Sequence, residues 1–349
     1  MKNIIIGGIK FNKINPLIVA EIGQAHEGSE GQVHALIDAL FGANCNAIKF
    51  QIHLANFESS LQDEFRLNFS YEDETRYEYW KRIEFSFSQW ERIFNHCKSK
   101  NIIVGASVFS LEALDIAKKL KVDFIKIGSG DLLFDDLINE ISIFDTPVII
   151  SSGMANWKEL TLVKSKFKYH IKSEKFSILH CTTAYPTDPQ KIGFNNVSLI
   201  EKEFGIPSGL SDHSGNKLTS FYALAKGCSI LEVHVNFDRL MFGPDSTSSL
   251  TIKEFEEVVN AKNYFQKLHI DTNKDLEEKG FSSTKIKFSR SIGIRKDMKK
   301  DQIINLNNII FRKPGGYLDK KVLKNIIGKK AKHDLKALNI LKWDDIEEI

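Results

Sequence analysis

Eight short runs of apolar, largely β-branched residues recur along the 349-residue chain, each followed by a stretch of helical periodicity. They cover 17–23, 46–52, 102–108, 124–129, 147–153, 177–182, 206–213 and 229–235. Amphipathic segments lie between them, such as 31–42, with Val33, Leu36, Ile37 and Leu40 on one face, and 111–120. A strand that is apolar on both sides belongs to a parallel sheet covered by helices. Eight such units predict an α/β fold, a closed (β/α)8 TIM barrel. The alternation alone is also compatible with an open sheet.

Outside the alternation, strand-like residues 3–12 are expected to form a hairpin closing the bottom of the barrel. The connection from Leu54 to Ser88 is long and rich in acidic and aromatic residues, as functional or disordered loops are. Periodicity breaks into a polar linker at 274–285, after a catalytic domain at 1–273. Residues 286–349 then read as a small α+β module, with a Lys313-Pro314-Gly315-Gly316 turn and a short helix near 319–327.

Composition narrows the function. With 42% hydrophobic and 27% charged residues and no run long enough to cross a bilayer, a soluble cytoplasmic protein without membrane attachment is expected. The N-terminus lacks a signal-peptide pattern. Cys45, Cys97, Cys181 and Cys228 are scattered without metal-type pairing, and three lie in or beside apolar runs, which predicts reduced, buried thiols. Residues 281–349 carry 17 Lys and Arg against 8 Asp and Glu, a balance of +9 within a chain total of +3, so the remainder carries −6. These lysines alternate with apolar positions and no stacking aromatics accompany them. They fit a solvated surface or a lid over an anionic substrate, and not nucleic-acid binding.

Polar residues that a buried strand should avoid stand at or just past the C-terminal end of nearly every run. They are Glu21; Lys49, Gln51 and His53; Lys126, Ser129 and Asp131; Ser151 and Ser152; Thr183 and Tyr185; Ser211, Asp212 and His213; Glu232 and His234. Barrel enzymes build their sites at that end. One such residue is readily a satisfied structural group; the same habit in seven strands points to a site. An inward lysine needs a negative partner or loses its charge. For Lys49 and Lys126 a phosphate or carboxylate ligand supplies that partner, with a barrel carboxylate or a Schiff-base role as alternatives. Ser129, Ser151 and Ser211, each within two residues of a glycine, add donors to the same anion. His213 and His234 end consecutive strands about 5 Å apart and can share one divalent cation with open positions, Mn2+ or Mg2+ rather than structural zinc. Taken singly, each is an ordinary core histidine. His180 reads as a core residue and His26 as loop polarity near the site.

Several stretches together resemble the sialic acid synthase family of N-acetylneuraminate, legionaminate and pseudaminate synthases. They are Ala20-Glu21-Ile22-Gly23-Gln24-Ala25-His26-Glu27-Gly28, Ile48-Lys49-Phe50-Gln51, Lys126-Ile127-Gly128-Ser129-Gly130, Ser151-Ser152-Gly153-Met154, His180-Cys181-Thr182-Thr183-Ala184-Tyr185-Pro186, Gly209-Leu210-Ser211-Asp212-His213 and Gly243-Pro244-Asp245. The tail from Ser289-Arg290-Ser291 through Gly328-Lys329-Lys330-Ala331 resembles the family's antifreeze-like SAF domain, so the likeness covers essentially the whole chain. It implies that phosphoenolpyruvate is condensed with an N-acyl amino sugar to a nine-carbon 2-keto sugar acid. Lys49, Lys126, Ser129, Ser151, Thr183 and Ser211 would then hold phosphoenolpyruvate, and His213 and His234 the metal. Glu21 would position water at the metal or the substrate, and Tyr185 and Asp245 would contact the sugar. Glu21 and Asp245 both remain open as the proton carrier.

The likeness further implies a domain-swapped homodimer, in which an arginine of one SAF domain touches the sugar's N-acyl group in the partner's barrel. Here Lys313 stands before Pro314, and Arg312 one residue earlier, so either is the candidate. Asp131 stands where the family often has glutamate and joins the catalytic candidates, and Thr183 stands where asparagine also occurs. A lysine-dependent pyruvate aldolase and a non-catalytic sugar-acid-binding barrel are the rival readings.

Overall fold

Side chains on alternate strand positions point to opposite faces, and that period sorts the first unit of the chain into two cores. Strands β3 (Leu17–Glu21), β4 (Ala47–Ile52), β5 (Ile103–Val108), β6 (Phe124–Ile127), β7 (Val148–Ser151), β8 (Phe176–Cys181), β9 (Ser208–Asp212) and β10 (Ile230–Asn236) pair in parallel in chain order. β10 pairs with both β9 and β3, which closes the barrel and leaves no open sheet. One parity set (Ile48, Phe50, Val104, Ile125, Val148, Ile178, Leu231 and Val233) packs outward against the helices. The other (Leu17, Val19, Ala47, Ile103, Phe124, Ile149, Leu179 and Ile230) fills the lower interior. The antiparallel hairpin β1 (Ile4–Ile6) and β2 (Ile9–Phe11) caps that layer with Ile4, Ile6 and Phe11, as the sequence predicts.

Following the inward parity upward, apolar residues give way to Glu21, Lys49, Ser107, Lys126, Ser151, Ser211 and Glu232, all buried. The lower layer is a packed plug, and the polar layers above it form the floor of the site. Gly105 marks the boundary. A Cβ there would lie 2.1 Å from the Phe124 ring, so this glycine makes room for the largest side chain of the plug.

The structure, a computed structural model, describes residues 1–65, 69–270, 274 and 281–347. The chain divides at His269/Ile270. Half of the expected linker at 274–285 lies outside the described residues, and its end is helical: Ser282–Phe288 form a short helix. The long connection after β4 holds helices Ala55–Glu58 and Arg76–Ile83, the latter closed by a Thr75/Glu78 capping box. A two-residue strand β11 (Leu250–Thr251) pairs in parallel with β10. In the second unit an antiparallel pair, β12 (Ser291–Ile294) and β13 (Ile309–Arg312), covers a core of Ile292, Ile294, Met298, Ile304, Ile309 and Ile326. Among the described residues no helix is long and apolar enough to cross a membrane. All four cysteines are buried and free.

Candidate active site

The strand register brings the inward polar residues into one layer. Glu21 is level with Lys49 and His234, Ser107 with Lys126 and Gln51, and Ser211 with Glu232 and Cys181. They form the floor of a cavity of about 590 Å3. Lys49, Lys126, Ser129, Asp131, Ser151, Thr183, Tyr185, Ser211, His213, His234 and Asp245 all line it. Glu21 stands behind them, in contact with Lys49 and Gln51.

Two lysine–glutamate pairs organise the floor. Lys49 Nζ lies 2.5 Å from Glu21 Oε2 and donates to Ser107 Oγ at 2.7 Å. Lys126 Nζ donates to Ser151 Oγ at 2.7 Å and to Glu232 Oε1 at 3.1 Å. Ser211 Oγ donates to that same oxygen at 3.0 Å, and Lys49 Nζ is 3.9 Å from it. Burial pushes the Glu232 carboxyl up, but Lys126 and Lys49 outweigh burial and hold it down at about 2. Its other oxygen, Oε2, is buried without a hydrogen-bond partner among the described residues. Two cations and the Ser211 hydroxyl thus converge on one carboxylate oxygen, with the Ser107 and Ser151 hydroxyls bonded to the cations. Ser129 and Thr183 join from the side. A Cβ on Gly153 would lie 2.7 Å from Thr183 Oγ1 and 2.8 Å from Ser129 Cβ and Cys181 Sγ, so only glycine lets these three groups meet.

The opposite wall carries the histidines. Their ring centroids are 5.5 Å apart, with Tyr185 at 4.1 Å from His213 and 6.2 Å from His234. His213 Nδ1 faces the Thr182 carbonyl at 3.1 Å and must donate to it, which leaves Nε2 with the lone pair. Burial first, then His234, lowers its pKa to about 3 and keeps the ring neutral. Asp245 Oδ2 lies 3.6 Å from His234 Nδ1. Among the described residues no three His, Cys, Asp or Glu side chains form a ready-made cage. The donor set therefore fits a divalent ion held by the two imidazoles with its remaining positions open.

The connection after β4 supplies the outer wall, with Glu58, Asp63, Phe65, Phe69, Arg76, Tyr79 and Trp80. His53 is stacked between Trp80 (3.8 Å, 8°) and Phe109 (4.4 Å, 5°). Asp131 is pushed up to about 7, by burial and then by Glu58. These aromatics, Ser107 and the hub role of Glu232 were not legible as site residues, although Ser107 and Glu232 share the inward parity of Lys49 and Lys126. His26 departs from the sequence reading. It is buried against Phe85, with Nδ1 accepting from the Gly28 amide, and is not loop polarity. Ser152 and Asp212 are buried but stand off the lining, Asp212 accepting from Ser214. His180 serves structure, donating to the Ile192 carbonyl. Arg312 and Lys313 lie in the second unit. Arg312 Nε is buried without a hydrogen-bond partner among the described residues, and Lys313 Nζ sits 4.6 Å above the Phe288 ring.

Fold and site together define a (β/α)8-barrel enzyme of the synthase type, carrying a C-terminal SAF domain. Residues 36–274 match the model of the NeuB family and residues 289–347 that of the SAF domain. The chain belongs to the NeuB family, and the resemblance read from the sequence holds. It is 28% identical to a pseudaminic acid synthase of Campylobacter jejuni over 97% of this chain and 99% of that one. It is 26% identical to an N,N'-diacetyllegionaminic acid synthase of the same species, over 93% and 98%. A crystal structure of N-acetylneuraminic acid synthetase from Leptospira borgpetersenii, in complex with citrate, matches with a TM-score of 0.69 at 27% identity, covering 81% of this chain and 96% of that one.

Proposed function

We propose that the enzyme condenses phosphoenolpyruvate with an N-acyl amino sugar of the N-acetylmannosamine or 2,4-diacetamido-2,4,6-trideoxymannose type, giving a nine-carbon 2-keto sugar acid and inorganic phosphate. The observation that carries this reading is the convergence of Lys49, Lys126 and Ser211 on one buried carboxylate oxygen, with Ser151 bonded to Lys126, in the cavity that His213 and His234 also line. A small dianion with both a phosphate and a carboxylate suits the first group. The names of the relatives supply the sugar-acid product.

In this reading the lysines and hydroxyls fix phosphoenolpyruvate with C3 facing the sugar's aldehyde, so positioning supplies much of the rate. C3 bonds to the aldehyde carbon, whose oxygen takes a proton. Water adds at C2, and phosphate leaves with cleavage of the C2–O bond. Ser151, Ser211 and the two ammonium groups hold the charge on the departing phosphate. Glu21 Oε2 pairs with Lys49 while Oε1 orients Gln51. Glu21 and Asp245 are the carboxylates available for proton transfer. His213 and His234 would hold Mn2+ or Mg2+, which as a Lewis acid polarises the aldehyde oxygen. The likeness to the family carries the further proposal of a homodimer in which Arg312 or Lys313 completes the partner's site.

Both floor lysines are ion-paired, which favours anion binding over the free amine that Schiff-base chemistry requires. The test incubates the protein with phosphoenolpyruvate, Mn2+ and either sugar, with and without borohydride. Sugar-dependent phosphate release with no covalent adduct is expected. Borohydride inactivation in pyruvate with no phosphate release would replace this reading with the aldolase.

A further inference from the structure

A chain of amide and carboxylate hydrogen bonds runs beside the floor and ends in the cavity. Glu21 Oε1, an oxygen acceptor, receives Gln51 Nε2 at 2.7 Å, which fixes the Gln51 amide with its oxygen turned away. That oxygen accepts from Gln24 Nε2 at 2.6 Å and lies 2.9 Å from His53 Nε2. With its nitrogen committed, Gln24 has one group left, Oε1. This atom is buried and without a hydrogen-bond partner among the described residues. Gln24 is 6% exposed and lines the cavity. Such an atom is costly to leave unmade and selects whatever completes it.

The sense of the chain is set at several points. His53 is gripped between the Trp80 and Phe109 rings and faces Glu58 Oε1 from Nδ1 at 2.9 Å. Its Nε2 also lies 3.4 Å from Gln24 Nε2. Glu21 Oε1 can only accept, so the Gln51 amide has no alternative orientation whichever ring nitrogen carries the proton. The Gln24 amide cannot flip without placing its oxygen against Gln51 Oε1. Its one uncommitted group is therefore an acceptor only.

We infer that Gln24 is a specificity-determining residue of the condensation: Oε1 accepts a hydrogen bond from a donor on the amino sugar, an acylamino N–H or a hydroxyl. The assignment rests on the proposed function and names which protein atom reads the sugar. Phosphoenolpyruvate, all of whose polar atoms are acceptors in its ionised form, has no donor to offer Gln24. The role is thus confined to the second substrate.

The experiment measures steady-state phosphate release by the wild type, Gln24→Leu and Gln24→Glu with Mn2+, phosphoenolpyruvate and whichever of N-acetylmannosamine or 2,4-diacetamido-2,4,6-trideoxymannose the wild type uses. The leucine variant keeps the volume, and Gln51 stays held by Glu21. Its kcat/KM for the sugar is expected to fall roughly ten- to a hundredfold, while KM for phosphoenolpyruvate stays within about twofold. The glutamate variant sets an oxygen against Gln51 Oε1 in place of the Nε2 donor, so its sugar kcat/KM should fall as well. The sugar's N-methylated amide separates the donors. If the N–H is read, methylation slows the wild type far more than Gln24→Leu; if a hydroxyl is read, it slows both alike. An unchanged sugar kcat/KM in Gln24→Leu, or an equal loss toward both substrates, would overturn the assignment while leaving the function intact. No turnover by the wild type with either sugar would count against the function itself and remove this assignment with it.

Discussion

Replacing Lys126 with methionine and Glu232 with glutamine, singly and together, tests whether the floor is one electrostatic unit. At 3.1 Å and an effective dielectric constant near 20, the Lys126–Glu232 attraction is about 5 kcal/mol. Removing one partner of a buried pair costs roughly 3–5 kcal/mol, because the other charge is left uncompensated. Lys126→Met leaves Glu232 with Lys49 at 3.9 Å, a residual attraction of about 4 kcal/mol, so its cost belongs near 3 kcal/mol. Glu232→Gln should cost a similar amount, leaving Lys126 with the Ser151 hydroxyl. The double variant removes both charges and leaves the Lys49–Glu21 pair balanced. Its loss should fall short of the sum of the single losses by at least about 2 kcal/mol. Urea unfolding of the ligand-free protein, followed by tryptophan fluorescence with Trp90 buried in the barrel, provides the readout. Additivity within about 0.5 kcal/mol would refute the coupled floor.

Other perturbations probe separate parts of the site. The Asp131 carboxyl is raised from 3.8 to about 7, so the folded state binds its proton more tightly than the unfolded one and its stabilising contribution is lost as pH rises through that interval. Asp131→Asn should therefore melt higher than wild type at pH 8 and draw level below pH 4; calorimetry across that range would expose the opposite trend. His213→Ala should lose turnover while still binding phosphoenolpyruvate, as calorimetric titration would record, and chelation should inactivate the wild type until Mn2+ is restored. Gly153→Ala puts a methyl group into Ser129, Cys181 and Thr183 and should cost about 1–3 kcal/mol with a raised KM for phosphoenolpyruvate, a split that kinetics and thermal melts resolve together.

Much of this architecture was written in local pattern. The eight runs announced themselves because strands buried on both faces have no polar side to confuse the period. Lys49 and Lys126 stood out because a lysine inside an apolar run demands an explanation. Glu232 and Ser107 carry equal weight in the floor, yet Ser107 is small enough to pass in any strand. Glu232 becomes a hub only once β9, β10, β4 and β6 bring Ser211, Lys49 and Lys126 to it. The aromatic grip on His53 joins residues 27 and 56 positions away, a distance no periodicity encodes. His26 reads as loop polarity from its glycine-flanked turn, and its burial against the Phe85 ring, 59 positions away, is not encoded locally. The helix at Ser282–Phe288 is short and polar, and its composition was that of a linker.

The central claim is met most directly by mixing the protein with phosphoenolpyruvate and Mn2+ and adding N-acetylmannosamine, its 6-phosphate or 2,4-diacetamido-2,4,6-trideoxymannose in parallel, with phosphate measured and products weighed by mass spectrometry. The account predicts that phosphate appears only with a sugar, in equal amount to a product heavier than that sugar by the three-carbon pyruvate unit. Phosphate released at the same rate without any sugar, or pyruvate as the sole product, would contradict it.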